Sequence, residues 1–127
     1  MMLSNAVVTA VLAARDVART AKFYRDVVGL PQPREVMGGV MFETSGGRFM
    51  VYESGYAGTA QNTVMSFTVT DIQAEVADLR GRGVVFEDYD FPGLKTVNGI
   101  ASLGDVHSAW FKDPEGNIIA LTQDIPA

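Results

Sequence analysis

The feature that most restricts this chain is a pattern used twice. Val7-Val8-Thr9-Ala10-Val11-Leu12-Ala13 leads through Asp16 into a helix-forming stretch that ends at Gly29. Thr63-Val64-Met65-Ser66-Phe67-Thr68-Val69 leads through Asp71 into another that ends at Gly83. Both opening runs are short, rich in β-branched residues and free of Gly and Pro, which predicts strands. Each Asp stands where an N-cap belongs, with a side-chain oxygen for an orphan helix N–H. Val17, Ala21, Tyr24 and Val28 then form one apolar helical stripe, and Ile72, Val76 and Leu79 repeat it. Gly29 and Gly83 supply the left-handed residue that commonly closes a helix.

Strand-like runs follow each helix: 39–44 and 48–53 in the first half, then 84–87, 108–112 and 117–123 in the second. Ser45-Gly46-Gly47 and Asp113-Pro114-Glu115-Gly116-Asn117 are turn chemistry. The expected architecture is α+β, a β-α-β-β-β unit used twice, over about 5–55 and 62–124. With 127 residues, both copies fall within one domain. A period this long in only two copies indicates a duplicated module, since a solenoid needs about three repeats. One stretch lacks a counterpart in the first half. Residues 88–104 show no clear periodicity over a length unusual for a loop, and read either as a lid or as a surface excursion.

Composition removes several classes of function. Fifteen acidic residues against ten basic ones give a net charge of −5, which speaks against a nucleic-acid surface. The absence of cysteine excludes disulfides, zinc–thiolate sites and thiol nucleophiles. The one histidine, His107, excludes a site built from two imidazoles of one chain. The apolar run 6–14 is far short of the roughly 20 residues that span a bilayer. Met1–Asn5 lacks the basic flank of a secretory signal. The expectation is a cytoplasmic protein with neither a membrane nor a nucleic-acid partner. Gly38-Gly39 and Gly46-Gly47 read as hairpin turns, because neither has the strand-to-helix context of a phosphate loop.

Three stretches together resemble the vicinal oxygen chelate superfamily, which includes glyoxalase I, bleomycin-resistance proteins and extradiol dioxygenases. Residues 16–30, with the pair Phe23-Tyr24 and the closing Gly29-Leu30, look like the family's first helix. Residues 71–83 look like its second helix. Residues 109–121 look like its last hairpin, whose Asp113-Pro114-Glu115-Gly116-Asn117 turn is the most specific of the three. The resemblance implies two βαβββ modules curling into a curved mixed sheet, with helices on the outer face. It also implies a ligand cavity enclosed jointly by two modules, commonly across a homodimer.

Metal-dependent members carry one ligand on each of four strands. The matching positions here are Thr9, Val64, Ala120 and, on the strand 48–53, Phe49 or a neighbour such as Val51. Of that last strand only Glu53 offers a donor. Thr, Val, Phe and Ala side chains do not hold a divalent ion with useful affinity. The expectation is that there is no metal and no cofactor.

If those positions face inward, strand alternation turns their i±2 neighbours inward too. The expected wall is Val7, Thr9, Val11, Phe49, Val51, Glu53, Val64, Ser66, Thr68, Ile118, Ala120 and Thr122, read either as a small-molecule cavity or as a collapsed core. Tyr89, Phe91, Pro92, Leu94 and Lys95 are candidates for a lid over it. Val8, Ala10, Leu12, Met65, Phe67, Val69, Ile119 and Leu121 are expected beneath the helices, with Tyr52 and Trp110 on that same side. Glu53 reads as a general base or as a solvated strand end. His107 reads as a proton shuttle or as a structural histidine.

The reading preferred from the sequence is a metal-independent protein that binds an apolar or aromatic small molecule, like the drug-binding members of the family, as a homodimer. The alternatives are a lyase, isomerase or dioxygenase whose metal ligands have moved, for instance to Glu43, Glu53 and His107, and a metal-free acid–base enzyme using Glu53 or His107. A purely structural dimerisation module is the last of them.

Overall fold

The structure, a computed structural model, describes residues 3–124. A short turn, Leu3–Asn5, precedes β1 (Ala10–Ala14) and α1 (Val17–Lys22), which continues as a π turn, Phe23–Val27. Then come β2 (Arg34–Val36), β3 (Gly39–Thr44) and β4 (Gly47–Glu53). The second unit runs β5 (Thr63–Thr68), α2 (Ile72–Gly81), β6 (Asp90–Phe91), β7 (Leu94–Val97), β8 (Ile100–Leu103), β9 (Val106–Lys112) and β10 (Ile118–Asp124). The first unit has the expected β-α-β-β-β order, and the second opens with the same strand–helix pair and carries five strands after its helix.

Local chemistry sets the helix ends. Asp16 accepts a hydrogen bond from the N–H of Arg19 at 3.0 Å, and Asp71 from that of Ala74 at 3.1 Å. Gly29 and Gly83 follow the helices with φ of +90° and +95°, a conformation costly for any residue with a Cβ. The π turn closes with the N–H of Val28 bonded to the carbonyl of Phe23. It brings two successive aromatics inward: Phe23 approaches Phe111, and Tyr24 packs on Phe42 and Phe49.

The strands form two sheets, ordered β1-β4-β3-β2 and β5-β10-β9-β8-β7-β6. In each, the first strand runs parallel to the last, as a helical crossover requires. The mixed α+β arrangement matches the expected architecture, one sheet from each half of the chain. The edges β1 and β5 approach across a cleft with no ladder between them, and side chains such as Phe49 and Phe67, 6.1 Å apart, bridge the gap. Two expectations change. Residues 84–87 make one bridge, Phe86 to Phe111, because β8 already occupies the other half of that edge of β9. The stretch 88–104 is not an irregular loop: it holds β6, β7 and β8, which widen the second sheet.

One apolar core serves both units, with Leu12, Tyr24, Phe42, Val51, Phe111 and Ile119 essentially without solvent contact. A polar clasp also joins them, because the β9–β10 turn lies on the start of α1. The Glu115 carboxylate accepts from the Asp16 N–H (2.9 Å), the Thr20 hydroxyl (3.3 Å) and the Arg19 guanidinium (3.1 Å). Asn117 donates to the carbonyl of Ala13 at 2.8 Å.

Burial opposes the charge on Glu115. The backbone N–H groups of Asp16 and Arg15 and the guanidinium of Arg19 outweigh it and hold the carboxyl below its ordinary range. A carboxyl depressed in the folded state contributes stability that is complete above its unfolded pKa and is lost as pH falls through the folded value. The urea midpoint is thus expected to drop on acidification below the ordinary glutamate range. Glu115→Gln is expected to be less stable near neutrality and to show a flatter acid limb, which urea titrations across pH 3–7 check.

Candidate ligand-binding site

Residues opposite one another in a ladder share a face, so the registers sort the side chains. On the second sheet, Phe67, Leu121, Ala109 and Ile100 lie in one row beneath the helices. Thr68, Thr122, Ser108, Ala101 and Thr96 make the neighbouring row on the helix-free face, and Ser66, Ala120 and Trp110 make another. The Ser66 and Thr122 hydroxyls are hydrogen-bonded at 2.8 Å. Ser66, Thr68, Ile118, Ala120 and Thr122 therefore share the face expected of them. Val64 does not: a bulge in the β5–β10 register falls beside it, and it packs against the core.

On the first sheet, Thr9 and Val11 take the expected side, Val11 at 57% exposure, while Val7 is exposed ahead of β1. The β4 assignment is corrected. Phe49 and Val51 are buried in the helix-side core, in register with Ala10 and Leu12, and Glu53 follows the same phase to an exposed strand end. The helix-free side of β4 instead carries Arg48, Met50 and Tyr52. Arg48 Nε donates to the Thr9 hydroxyl at 3.0 Å. Tyr52 and Trp110 thus stand on the face opposite to that expected.

Trp110 belongs to an aromatic group with two of the lid candidates. Tyr89 meets it edge-to-face at 5.4 Å and stacks with Phe91 at 5.7 Å. Phe91 pairs with Leu94 across the β6–β7 turn. The Tyr89 backbone is fixed by Thr96, whose hydroxyl accepts from its N–H at 2.8 Å and donates to Asp88 at 3.0 Å. Partial burial and the nearby Glu87 carboxylate raise the phenol of Tyr89 above its ordinary range, so it remains a hydrogen-bond donor at neutral pH.

His107 is a further correction. It lies in register with Ser102 and Gln123 on the helix side, with Nδ1 3.0 Å from the Ser102 hydroxyl, and lines a groove of ≈ 590 Å³ beside α2. It does not reach the helix-free face. Glu43 does, but its carboxylate is engaged by Arg34 Nε at 2.8 Å. The alternative ligand set of Glu43, Glu53 and His107 is therefore divided between two faces. Neither Glu53 nor His107 stands where a base would meet a ligand on the helix-free face.

The residues at the metal positions do not fit a divalent ion. The Thr9 hydroxyl already accepts from a guanidinium, and Val64 and Ala120 are apolar. The helix-free side of β4 offers a cation, a thioether and a phenol. Among the described residues, no three of the His, Asp and Glu side chains converge. No helix among them is long and apolar enough to cross a membrane.

The fold recurs in known proteins. The virulence protein STM3117 from Salmonella typhimurium is 18% identical with a TM-score of 0.70, covering 98% of this chain and 100% of its own. A glyoxalase/bleomycin resistance protein/dioxygenase from Alicyclobacillus acidocaldarius is 17% identical with a TM-score of 0.70, over 99% and 96%. The fosfomycin resistance protein FosX from Listeria monocytogenes is 14% identical with a TM-score of 0.66, over 94% and 93%. At these identities the likeness is one of fold. No curated protein matches the sequence. Residues 6–121, both modules and the clasp included, match the profile of the glyoxalase/bleomycin resistance protein/dioxygenase superfamily, and the chain belongs to it.

Proposed function

We propose that this chain binds a small apolar or aromatic molecule on its helix-free face without the help of a metal ion. The observation that carries the reading is the second module's helix-free face. There Tyr89, Phe91 and Trp110 form an aromatic surface beside the hydroxyls of Ser66, Thr68 and Thr122. Aromatic faces of this kind stack on planar guests, and hydroxyls orient them. No group placed for acid–base work stands among them.

The working unit in this proposal is a homodimer. The first module leaves Val11, Met41, Met50 and Tyr52 on its helix-free side, Val11 and Tyr52 exposed. A second copy laid against that side would bury them and close the cavity. A native mass spectrum of the purified protein tests both parts of the reading. The expected result is twice the subunit mass with an organic molecule retained. A stoichiometric divalent ion held by the folded protein would contradict the metal-free reading. Val11→Asp, which places a charge in that apolar patch, is expected to weaken self-association about tenfold or more. Sedimentation against concentration checks this, and a variant that remains dimeric would move the interface elsewhere.

A further inference from the structure

We propose that the ligand carries an oxyanion, held by Arg48 in the cleft between the two sheets. The inference rests on the small-molecule reading above and narrows it to organic acids, in particular an aromatic or aliphatic carboxylate.

The cleft, ≈ 490 Å³, lies where β1 and the β3–β4 turn face β5, and its size is that of a small-molecule site. Its walls are mostly apolar, with Phe49, Met65 and Phe67 among them, and its polar groups are mostly hydroxyls, including Ser66 and Thr68. Among the described residues Arg48 is the one charged member of the lining, in a chain whose net charge is −5. Ser66 and Thr68 belong equally to the cleft and to the helix-free face, so the two regions are continuous.

Arg48 is half-buried and tethered. Its Nε is committed to the Thr9 hydroxyl at 3.0 Å, which fixes the plane of the guanidinium. Glu43, its cross-strand neighbour, feels its charge, but the Glu43 carboxylate makes its ion pair with Arg34 at 2.8 Å. Among the described residues Arg48 enters no ion pair. The outer edge of its fork, two nitrogens in a plane, matches a carboxylate. At Gly46 and Gly47 an added Cβ would meet nothing within 4 Å, so the turn leaves space beside the cation. An apolar body lying on Phe67 and Met65 with its charged end at Arg48 satisfies the whole lining. A neutral guest would leave the guanidinium desolvated and unmatched.

The test compares 2-naphthoate with the uncharged 2-naphthalenemethanol by calorimetric titration of the full chain. The acid is expected to bind about tenfold or more tightly than the alcohol, with a preference that shrinks as salt is added. Arg48→Met is expected to abolish the preference by weakening the acid, while the alcohol binds at least as tightly as to the native protein, which also shows that the variant is folded. Arg48→Lys is expected to retain part of the preference, since it keeps the charge and loses the fork. Thr9→Val, which removes the tether alone, is expected to weaken the acid several-fold. Equal affinities in the native protein would overturn the oxyanion assignment and leave the small-molecule reading standing, as would a preference that survives Arg48→Met. If neither probe binds, both fall together.

Discussion

Asp113→Ala is expected to cost about 4 kcal/mol, a loss large enough to threaten folding in a domain of ordinary stability. Asp113 is buried, and its carboxylate is fully employed. One oxygen accepts from the N–H groups of Glu115 and Asn117 at 2.9 and 3.0 Å. The other accepts from the Tyr24 hydroxyl at 2.9 Å and from the Asn117 amide at 3.0 Å. Truncation leaves four donors in or near the core with no acceptor, and water has little access to replace it. Burial and the Asp113 charge both keep the Tyr24 phenol protonated, well above its ordinary range, so it donates at every pH of interest. Tyr24→Phe removes one of the four bonds, and a smaller cost of about 2 kcal/mol is expected. Urea midpoints for the two variants check the order. If Tyr24→Phe were the worse of the two, packing of the ring rather than the carboxylate network would carry the stability.

Gly58→Ala is the second large loss, about 3 kcal/mol. Gly58 has φ of +71°, and a Cβ there would overlap the carbonyl oxygen of Glu115, a backbone atom fixed by the clasp. Its N–H also donates to the Asn117 side chain at 3.2 Å, so the segment cannot retreat without losing a bond. Gly83 provides the comparison, with φ of +95° and open space around the absent Cβ. Gly83→Ala therefore meets only the conformational penalty, about 1 kcal/mol. Thermal or urea denaturation of the pair separates close approach from backbone strain. Equal costs would show that the contact between Gly58 and the β9–β10 turn contributes little.

The parts of the fold legible in the sequence were those written in local chemistry. Asp16, Asp71, Gly29 and Gly83 fulfil their predicted roles because capping and chain reversal depend on a few adjacent atoms. The phase of β1 was equally readable. β4 was not, because Phe49 and Val51 on one side and Met50 and Tyr52 on the other give both faces apolar character, and hydropathy cannot phase such a strand. Its phase follows from the pairing of Arg48 with Thr9, a contact between residues 39 apart in the chain. Trp110 failed for the same reason, beside Phe111. The 88–104 stretch did carry an overlooked signal. Asn98-Gly99 is the strongest short hairpin mark, and with φ of +53° and +81° it turns β7 into β8.

His107 illustrates a different limit. Its chemistry is visible in the sequence, but whether it meets a ligand depends on which side of β9 it occupies, and only the finished sheet decides that. Arg48 carries no such mark in the sequence, because the cleft it lines exists only once β1, the β3–β4 turn and β5 are brought together.

The clasp makes each half of this molecule dependent on the other for completion. Glu115 and Asn117 find their partners about a hundred positions upstream, at Asp16 and Ala13, so these bonds form only after nearly the whole chain has been threaded into place. A ribosome releasing the first module alone would present an unfinished object, its helix start unlatched and its core open on one side. The two modules are therefore expected to fold as one event, and a truncation that removes the β9–β10 hairpin is expected to leave nothing that behaves as a folded remnant.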